Sequence, residues 1–359
     1  MLTLSSLRRA GALAAASALT VSLVSAGAAQ AAPADRSADW LSGQLTGGLM
    51  HNPNFGGFDD YGLSIDTAFA LQAVGGHRAD TRQIRNAIAA NIDGYITGDS
   101  FGDPGSHYAG ATAKALVLAQ NTGGKPTDFG GVNLVKQLTS LVTKKGSTAG
   151  RIADVTTFSD SANTLGQILA VRGLTAAKSG QAGKARAFLL QQQCRQGYFR
   201  LNFSKPKAVH QGCRATSPAD PDATSYAVIE LWKASKDNHK LRSALERAVA
   251  WLGKQQRKNG SFLGGTSTAS PNTNSTGLAG WALGLTGSCH AAKQAAHWVA
   301  GFQVGADSGA MLSGQRGAIA YDKAGLRAGK KDGITTETQD QWRRATSQAA
   351  PVLTFRSGC

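Results

Sequence analysis

The sequence predicts an all-α protein in which six helix pairs close into a ring, an α/α-toroid with an inner barrel of parallel helices and an outer shell. Three observations predict this fold. An Ala-rich segment containing a threonine recurs six times, a more polar amphipathic segment precedes each copy, and neither end of the array carries a polar capping repeat. An open superhelix of helix pairs needs such caps at both ends, so closure is favoured over that alternative.

The first 31 residues have the pattern of a secretory signal peptide. Arg8 and Arg9 precede an Ala/Leu/Val-rich run that ends in the small-residue cleavage pattern Ala29-Gln30-Ala31. The apolar run is shorter than the ~20 residues that cross a bilayer. We predict a signal peptide over residues 1–31 and one toroid domain over residues 33–359. The mature protein is expected to be secreted and extracellular, without an integral membrane segment.

Composition sets the class of protein and of partner. Hydrophobic residues make up 42% of the 359 residues and charged residues 17%, which suits a large core, and the 44 glycines indicate many turns. The net charge of +16 favours an anionic partner such as a cell-envelope polymer or an acidic polysaccharide. Because the basic residues are dispersed, no dedicated nucleic-acid site is predicted.

The six Ala-rich segments are predicted to be the buried inner helices, because most of their faces lack charge. Several of them run into a glycine, such as Gly75, Gly123 or Gly287, where a helix end favours a left-handed residue. Their threonines are expected to stand at the helix starts, and they are Thr67, Thr112, Thr164, Thr224, Thr276 and Thr346. The polar segments predicted as outer helices are residues 38–45, 82–95, 132–142, 184–193, 242–256 and 290–304.

Two outer-to-inner connections share one motif. Gln193, Gly197 and Phe199 have the same spacing as Gln256, Gly260 and Phe262. This motif resembles the glutamine-tryptophan repeat of squalene and terpenoid cyclases and the related repeat of protein prenyltransferase β subunits, with Phe in place of the terminal Trp. The glutamine is expected to satisfy carbonyls at the end of its outer helix, and the glycine to turn the chain. The resemblance implies the toroid fold. Secreted cobalamin carriers and thioester complement fragments also use that fold, but the thioester motif Gly-Cys-Gly-Glu-Gln is missing from the sequence.

Four cysteines in a secreted chain favour two disulfides. In a toroid all outer-to-inner loops lie on one rim, and Cys194 and Cys213 fall in one such loop. Cys289 and Cys359 follow inner helices and fall on the opposite rim. An inner helix of ~12 residues is about 18 Å long, whereas a disulfide needs Cα atoms within about 7 Å. The predicted pairs are therefore Cys194–Cys213 and Cys289–Cys359, and neither a metal site nor a cofactor is expected.

The strongest candidate for chemistry is Asp220-Pro221-Asp222-Ala223-Thr224. It resembles the Asp-x-Asp-Asp-Thr motif of class II terpenoid cyclases, whose middle carboxylic acid protonates an alkene. The resemblance implies Asp222 as the acid and Asp220 beside it, although Ala223 replaces the family's second adjacent aspartate. The favoured alternative is structural, because Asp66, Asn163, Asp222 and Asn274 recur where a helix N-cap is expected.

The mouth of the ring is predicted to hold the binding site, since six helix N-termini converge on that rim. Loop residues proposed for ligand binding are Tyr61, His107, Tyr108, Arg200 and His210. The favoured hypothesis is non-catalytic binding of a small apolar or anionic ligand, or of a cell-envelope component. The alternatives are a terpenoid cyclase-like enzyme, for which the aromatic wall is expected to be thin, and a polysaccharide-active toroid with two converging carboxylates.

Overall fold

A computed structural model describes residues 31–265 and 268–359, so the predicted signal peptide lies outside the described residues apart from Ala31. Helices of this part of the chain are α1 (Pro33–Ser42), α2 (Tyr61–Val74), α3 (Arg78–Ala90), α4 (Ile92–Ile96), α5 (Ala109–Thr122), α6 (Leu134–Ser140), α7 (Thr164–Ala176), α8 (Ala182–Gln191), α9 (Pro221–Leu231), α10 (His239–Gln255), α11 (Thr273–Leu285), α12 (Cys289–Ala300), α13 (Lys323–Asp332) and α14 (Gln339–Ala349). Two short antiparallel strands, β1 (Met50–Asn52) and β2 (Phe58–Asp60), precede α2. No helix of this part of the chain is long and apolar enough to cross a membrane.

The inner helices close into a ring. In order around the barrel they are α2, α5, α7, α9, α11 and α14, each packs against the next, and α14 packs against α2. The polar helices α1, α3, α6, α8, α10 and α12 lie outside them, within a few residues of the predicted outer segments. The prediction of an α/α-toroid is confirmed. The sequence did not predict the β1–β2 hairpin in the first connection or α13 in the last.

Three of the recurring threonines join their inner helix to the loop before it. Thr224 Oγ accepts a hydrogen bond from the Phe199 N–H (3.0 Å), and Thr276 Oγ accepts one from the Phe262 N–H (3.0 Å). Both bonds are buried, so they satisfy loop amides that have no access to water. The predicted position was wrong in most repeats. Thr164 opens α7, but the other threonines lie three or more residues inside their helices.

The motif glutamines link neighbouring outer helices. Gln193 Nε2 donates to the carbonyl of Ala244 in α10 (2.7 Å) and to its own loop at Gly197 (2.8 Å). Gln256 Nε2 likewise donates to the carbonyl of Ala291 in α12 (2.8 Å). The expectation that each glutamine satisfies carbonyls of its own outer helix is therefore corrected. Gln303, which lies outside the two copies of the motif, donates to the Pro33 carbonyl of α1 (2.6 Å) and so closes the outer shell.

The glycines of the same motif allow close backbone approach. Gly197 has φ +109° and Gly260 has φ +88°, a region that favours glycine. A Cβ at either position would lie 2.4 Å from a backbone oxygen of the next outer helix, Arg247 and Gln294 respectively. Phe199 and Phe262 are fully buried. These aromatic residues are thus part of the repeat's packing, as the sequence indicated.

The disulfides are the two predicted pairs. Cys194 and Cys213 lie in the connection between α8 and α9, with Cα atoms 5.1 Å apart. Cys289 begins α12 and Cys359 ends the chain, with Cα atoms 5.3 Å apart. The second disulfide ties the C-terminus to the α11–α12 turn, next to the point where α14 completes the ring.

Candidate functional site

A cavity of about 510 Å³ occupies the centre of the ring, and all six inner helices contribute to its wall. We call it the central cavity. Its aromatic side chains are Phe69, Tyr95, Tyr108, Tyr226 and Trp281. The expectation of a thin aromatic wall is therefore corrected. Alanine is the commonest residue of the helices that form the wall, so the large rings project into space that small neighbours leave open.

One face of α9 runs along the cavity. Asp222, Tyr226 and Glu230 are four residues apart, so they lie on the same side of the helix, and all three line the cavity. Helix rise places Asp222 about 12 Å from Glu230 along the axis. Asp222 is thus near the mouth, where the inner helices begin, and Glu230 is at the floor.

The two aspartates of the predicted motif have different roles. Asp220 is the N-cap of α9 and its carboxylate accepts from the Ala223 N–H (2.7 Å). Asp222 lies inside the first turn, and its Oδ1 atom is buried with no hydrogen-bond partner among the described residues. The capping interpretation of Asp222 was therefore wrong. It was also wrong for Asn274, because Asn272 caps α11, whereas Asn163 caps α7 as predicted.

Burial changes the ionisation of Asp222. Loss of solvent raises the pKa of its carboxyl to about 6, the nearby Ser275 side chain opposes the increase, and the charge of Asp220 adds to it. Burial also raises the pKa of Asp220, while its bonds to backbone N–H groups oppose the rise. A carboxyl with a pKa near neutrality can give or take a proton under physiological conditions.

The other acids of the cavity already have partners. Asp66, the fourth predicted cap, instead pairs with Lys114 Nζ (2.6 Å) across α2 and α5. Glu230 pairs with Arg172 of α7, whose guanidinium also donates to Asn121 Oδ1 (2.7 Å).

Asp154 accepts from the Ala109 N–H (2.7 Å) and from Ser161, and so caps α5 from a neighbouring loop. Among the described residues that line the cavity, Asp222 is therefore the acid that has neither an ion pair nor a capping bond.

Of the residues proposed for ligand binding, Tyr108 lines the cavity. Tyr61 lies behind the wall, where its ring packs edge-on against Tyr95 with centroids 6.1 Å apart. His107 is half-buried, and its backbone pairs with Val155 beside the mouth. The structure thus brings Tyr108 close to the cavity acids and sets Tyr61 and His107 around it.

Arg200 and His210 lie elsewhere. The Arg200 guanidinium is buried and donates to Gln192 Oε1 (2.7 Å) and the Gln211 carbonyl (2.6 Å), so it organises the long loop before α9. His210 is exposed beside Gln191 and Arg214 in a separate surface groove. Neither side chain reaches the central cavity.

Sequence reasoning missed the cavity residues Lys114, Glu230 and Trp281 and the ion-pair partner Arg172. Each is a charged or very large residue inside a segment that is otherwise small and apolar. A charge inside a buried helix needs a partner, so these positions carried a usable signal.

The fold and the central cavity together define a six-pair α/α-toroid with a cavity large enough for a small molecule.

No family model matches the sequence, and no curated protein matches it. The type II terpene cyclase MstE from Scytonema, solved without ligand, is similar with a TM-score of 0.61 and 14% identity over 90% of this chain and 97% of that one. A single-residue variant of MstE in complex with its substrate geranylgeranyl dihydroxybenzoate has a TM-score of 0.60 at 14% identity, over 90% of this chain and 96% of that one.

A carbohydrate-active enzyme has the same architecture. The unsaturated glucuronyl hydrolase specific for heparin is similar with a TM-score of 0.59 and 11% identity, over 90% of this chain and 96% of that one. The fold is therefore that of the terpenoid cyclase toroids, shared with glycosidases, as the sequence resemblance implied.

Proposed function

We propose that the protein binds a small, mainly apolar molecule in the central cavity. The observation that carries this proposal is the volume of the central cavity, about 510 Å³, with five aromatic side chains in its wall. Small-molecule sites are typically concave, mostly apolar and about 300 to 1,000 Å³ in volume. A toroid of the same fold, MstE, was solved with a geranylgeranyl-bearing substrate, which supports an apolar ligand class.

The charged side chains of the central cavity restrict the class of ligand further. Among the described residues, four carboxyl groups line the cavity, those of Asp66, Asp154, Asp222 and Glu230, against the one ammonium of Lys114. An anion placed among them would lack a free cationic partner, since Lys114 is engaged by Asp66. Of the two ligand classes that the sequence left open, apolar and anionic, we keep the apolar one for this cavity, with a neutral or cationic polar group.

A panel of matched probes tests this charge preference. Farnesol, farnesylamine and farnesoate share one apolar chain and differ in the charge of the end group. We expect farnesol and farnesylamine to bind at least about tenfold more tightly than farnesoate in calorimetric titrations, a difference of about 1.4 kcal/mol. Trp281→Ala should weaken their binding, whereas Phe101→Ala, at a residue that is 68% exposed, should not. Preference for farnesoate would contradict the proposal.

Acid catalysis by Asp222 is the second candidate. It is supported by the cavity-facing position of Asp222, its unpartnered Oδ1 atom and its raised pKa. In its protonated form the carboxyl would donate its proton to a double bond or to a leaving group of a bound ligand. Asp222→Asn should then abolish product formation while leaving ligand affinity within about threefold.

A polysaccharide-active role has weaker support. Glycoside hydrolysis by the usual route needs two carboxyl groups that flank the bond. Asp66 and Glu230 are held in ion pairs, and Asp154 holds the start of α5. Asp222 would therefore have to act without a free carboxyl partner.

We also propose that residues 1–31 are a signal peptide, that residues 33–359 form one toroid domain, and that the protein is secreted. Two disulfides support an oxidising compartment. The net charge of +16 supports contact with an anionic cell-envelope polymer at the outer surface. Mass spectrometry of the N-terminus of protein from the culture medium tests the cleavage site, and a chain that starts at Met1 would refute it.

A further inference from the structure

A second cavity, of about 660 Å³, lies at the other end of the barrel. We call it the rear chamber. It is formed where α7, α9 and α11 end and α10 begins, and its wall includes Arg172, Glu230, Trp232, Lys233, Lys236 and Arg242. Glu230 lines both cavities, so the Arg172–Glu230 ion pair forms part of the partition between them.

The rear chamber has an excess of positive charge. Glu230 is the acid in its wall, and that carboxylate is already paired with Arg172. Lys233, Lys236 and Arg242 therefore have no acidic partner within the wall. In the central cavity the balance is reversed, because carboxyl groups outnumber cations there. The two chambers thus favour ligands of opposite charge.

The rear chamber also has a flat apolar surface beside these cations. The Arg242 guanidinium lies 3.9 Å from the centre of the Trp232 ring and donates to the Trp232 carbonyl (3.1 Å). These contacts fix its plane and occupy one of its five N–H donors. Ile229 and Leu285 add apolar wall, and Leu285 is 43% exposed. An aromatic ring, an exposed apolar side chain and a held guanidinium in one concave site match a ligand that is flat at one end and anionic at the other.

We propose that the rear chamber is a second ligand site, which takes a small organic anion with a flat apolar part. The anionic group contacts Lys233, Lys236 and the free N–H groups of Arg242, and the apolar part packs against Trp232, Ile229 and Leu285. This site does not depend on the ligand proposed for the central cavity.

Two isosteric probes and two pairs of matched variants test the rear chamber. Naphthalene-2-sulfonate is an anion, and naphthalene-2-sulfonamide is its neutral counterpart. Each is titrated calorimetrically into the disulfide-bonded protein. The test variant is Lys233→Ala with Lys236→Ala, and both lysines are exposed, so folding should be retained. Its matched control is Lys240→Ala with Lys254→Ala, two exposed lysines of α10 outside the chamber.

We expect the sulfonate to bind the wild type and the lysine control with equal affinity, and the test variant about tenfold more weakly, or about 1.4 kcal/mol. The sulfonamide should bind the wild type about tenfold more weakly than the sulfonate. Trp232→Ala should lose sulfonate binding, and Trp281→Ala in the central cavity should keep it.

Equal sulfonate affinity in the wild type and the test variant would overturn the proposal, because the lysines would then serve only the ends of α7 and α9. Loss of sulfonate binding in Trp281→Ala but not in Trp232→Ala would place the anion in the central cavity and also overturn it. No sulfonate binding by the wild type would have the same consequence. Failure of the central-cavity proposal would appear separately, in the farnesol titrations.

Discussion

Replacing the Asp222 carboxyl should make the protein more stable at neutral pH and leave it unchanged in acid. Burial raises the pKa of this group to about 6, so the folded protein holds the proton more tightly than the unfolded chain, where an aspartate has a pKa near 4. The free energy of unfolding therefore falls as the pH rises from about 4 to about 6, and stays lower above that range. Asp222→Asn removes this titration and keeps the shape of the side chain.

The size of the effect follows from the shift. About two pKa units correspond to about 3 kcal/mol, and this is an upper value because local opening would let water reach the carboxylate. Urea unfolding of the wild type and Asp222→Asn at pH 4, 5, 6, 7 and 8 measures it. Asp307→Asn, which removes an exposed carboxyl, is the matched control for the substitution itself. A difference for Asp222→Asn that is constant across the series would refute a buried, ionisable Asp222.

Three further sets of substitutions test the ring itself. Gly277→Ala should destabilise the protein by about 1 to 3 kcal/mol in thermal unfolding, because the new Cβ would lie 2.5 Å from the Ala349 Cα of α14. Gly253→Ala is the control: this residue of α10 has open space around it, so the substitution should raise stability by about 0.5 to 1 kcal/mol. Removing the Cys289–Cys359 disulfide, with a sequence separation of 70, should cost about 4 kcal/mol of unfolding free energy. Removing Cys194–Cys213, with a separation of 19, should cost about 3 kcal/mol. Denaturant unfolding of the two Cys→Ser double variants measures both losses, and the reverse order would contradict the dependence on loop length. Arg172→Met should cost about 3 to 5 kcal/mol, because it leaves the buried Glu230 carboxyl without its partner. Adding Glu230→Gln should restore much of that loss in the same assay, and no recovery would show that the two side chains act independently.

Much of the fold could be predicted from the sequence because its contacts repeat. The spacing from Gln193 to Phe199 recurs from Gln256 to Phe262, and both copies make equivalent bonds to the next outer helix. The disulfide pairs could be predicted because the two rims of the ring are a helix length apart, so a cysteine can pair only with one on its own rim. Repeated local geometry therefore allowed the repeat motif and the cysteine pairs to be predicted, although each glutamine bonds the next outer helix and not its own.

The candidate site could be predicted only in part. Asp220 and Asp222 are two residues apart, so which one caps α9 and which one lines the cavity depends on where the helix begins. A sequence pattern locates a helix end only to within a few residues. The structure starts α9 at Pro221, which gives the cap to Asp220.

The ion pairs between inner helices, and the side-chain directions in the long loops, could not be predicted from the sequence for another reason. Lys114 meets Asp66, and Arg172 meets Glu230, only because closure sets the distance between neighbouring inner helices. Arg200 lies in the long connection before α9, where no periodic pattern indicates whether a side chain turns inward or outward. It turns inward, to Gln192 and Gln211.

Native mass spectrometry of the protein purified from its own culture medium shows directly whether the central cavity holds a ligand. We predict a bound small molecule of neutral or basic character on the wild type and on Phe101→Ala, and its loss from Trp281→Ala. A wild-type protein without such a molecule, or a neutral or basic molecule that persists in Trp281→Ala, would contradict the assignment of the central cavity as its site.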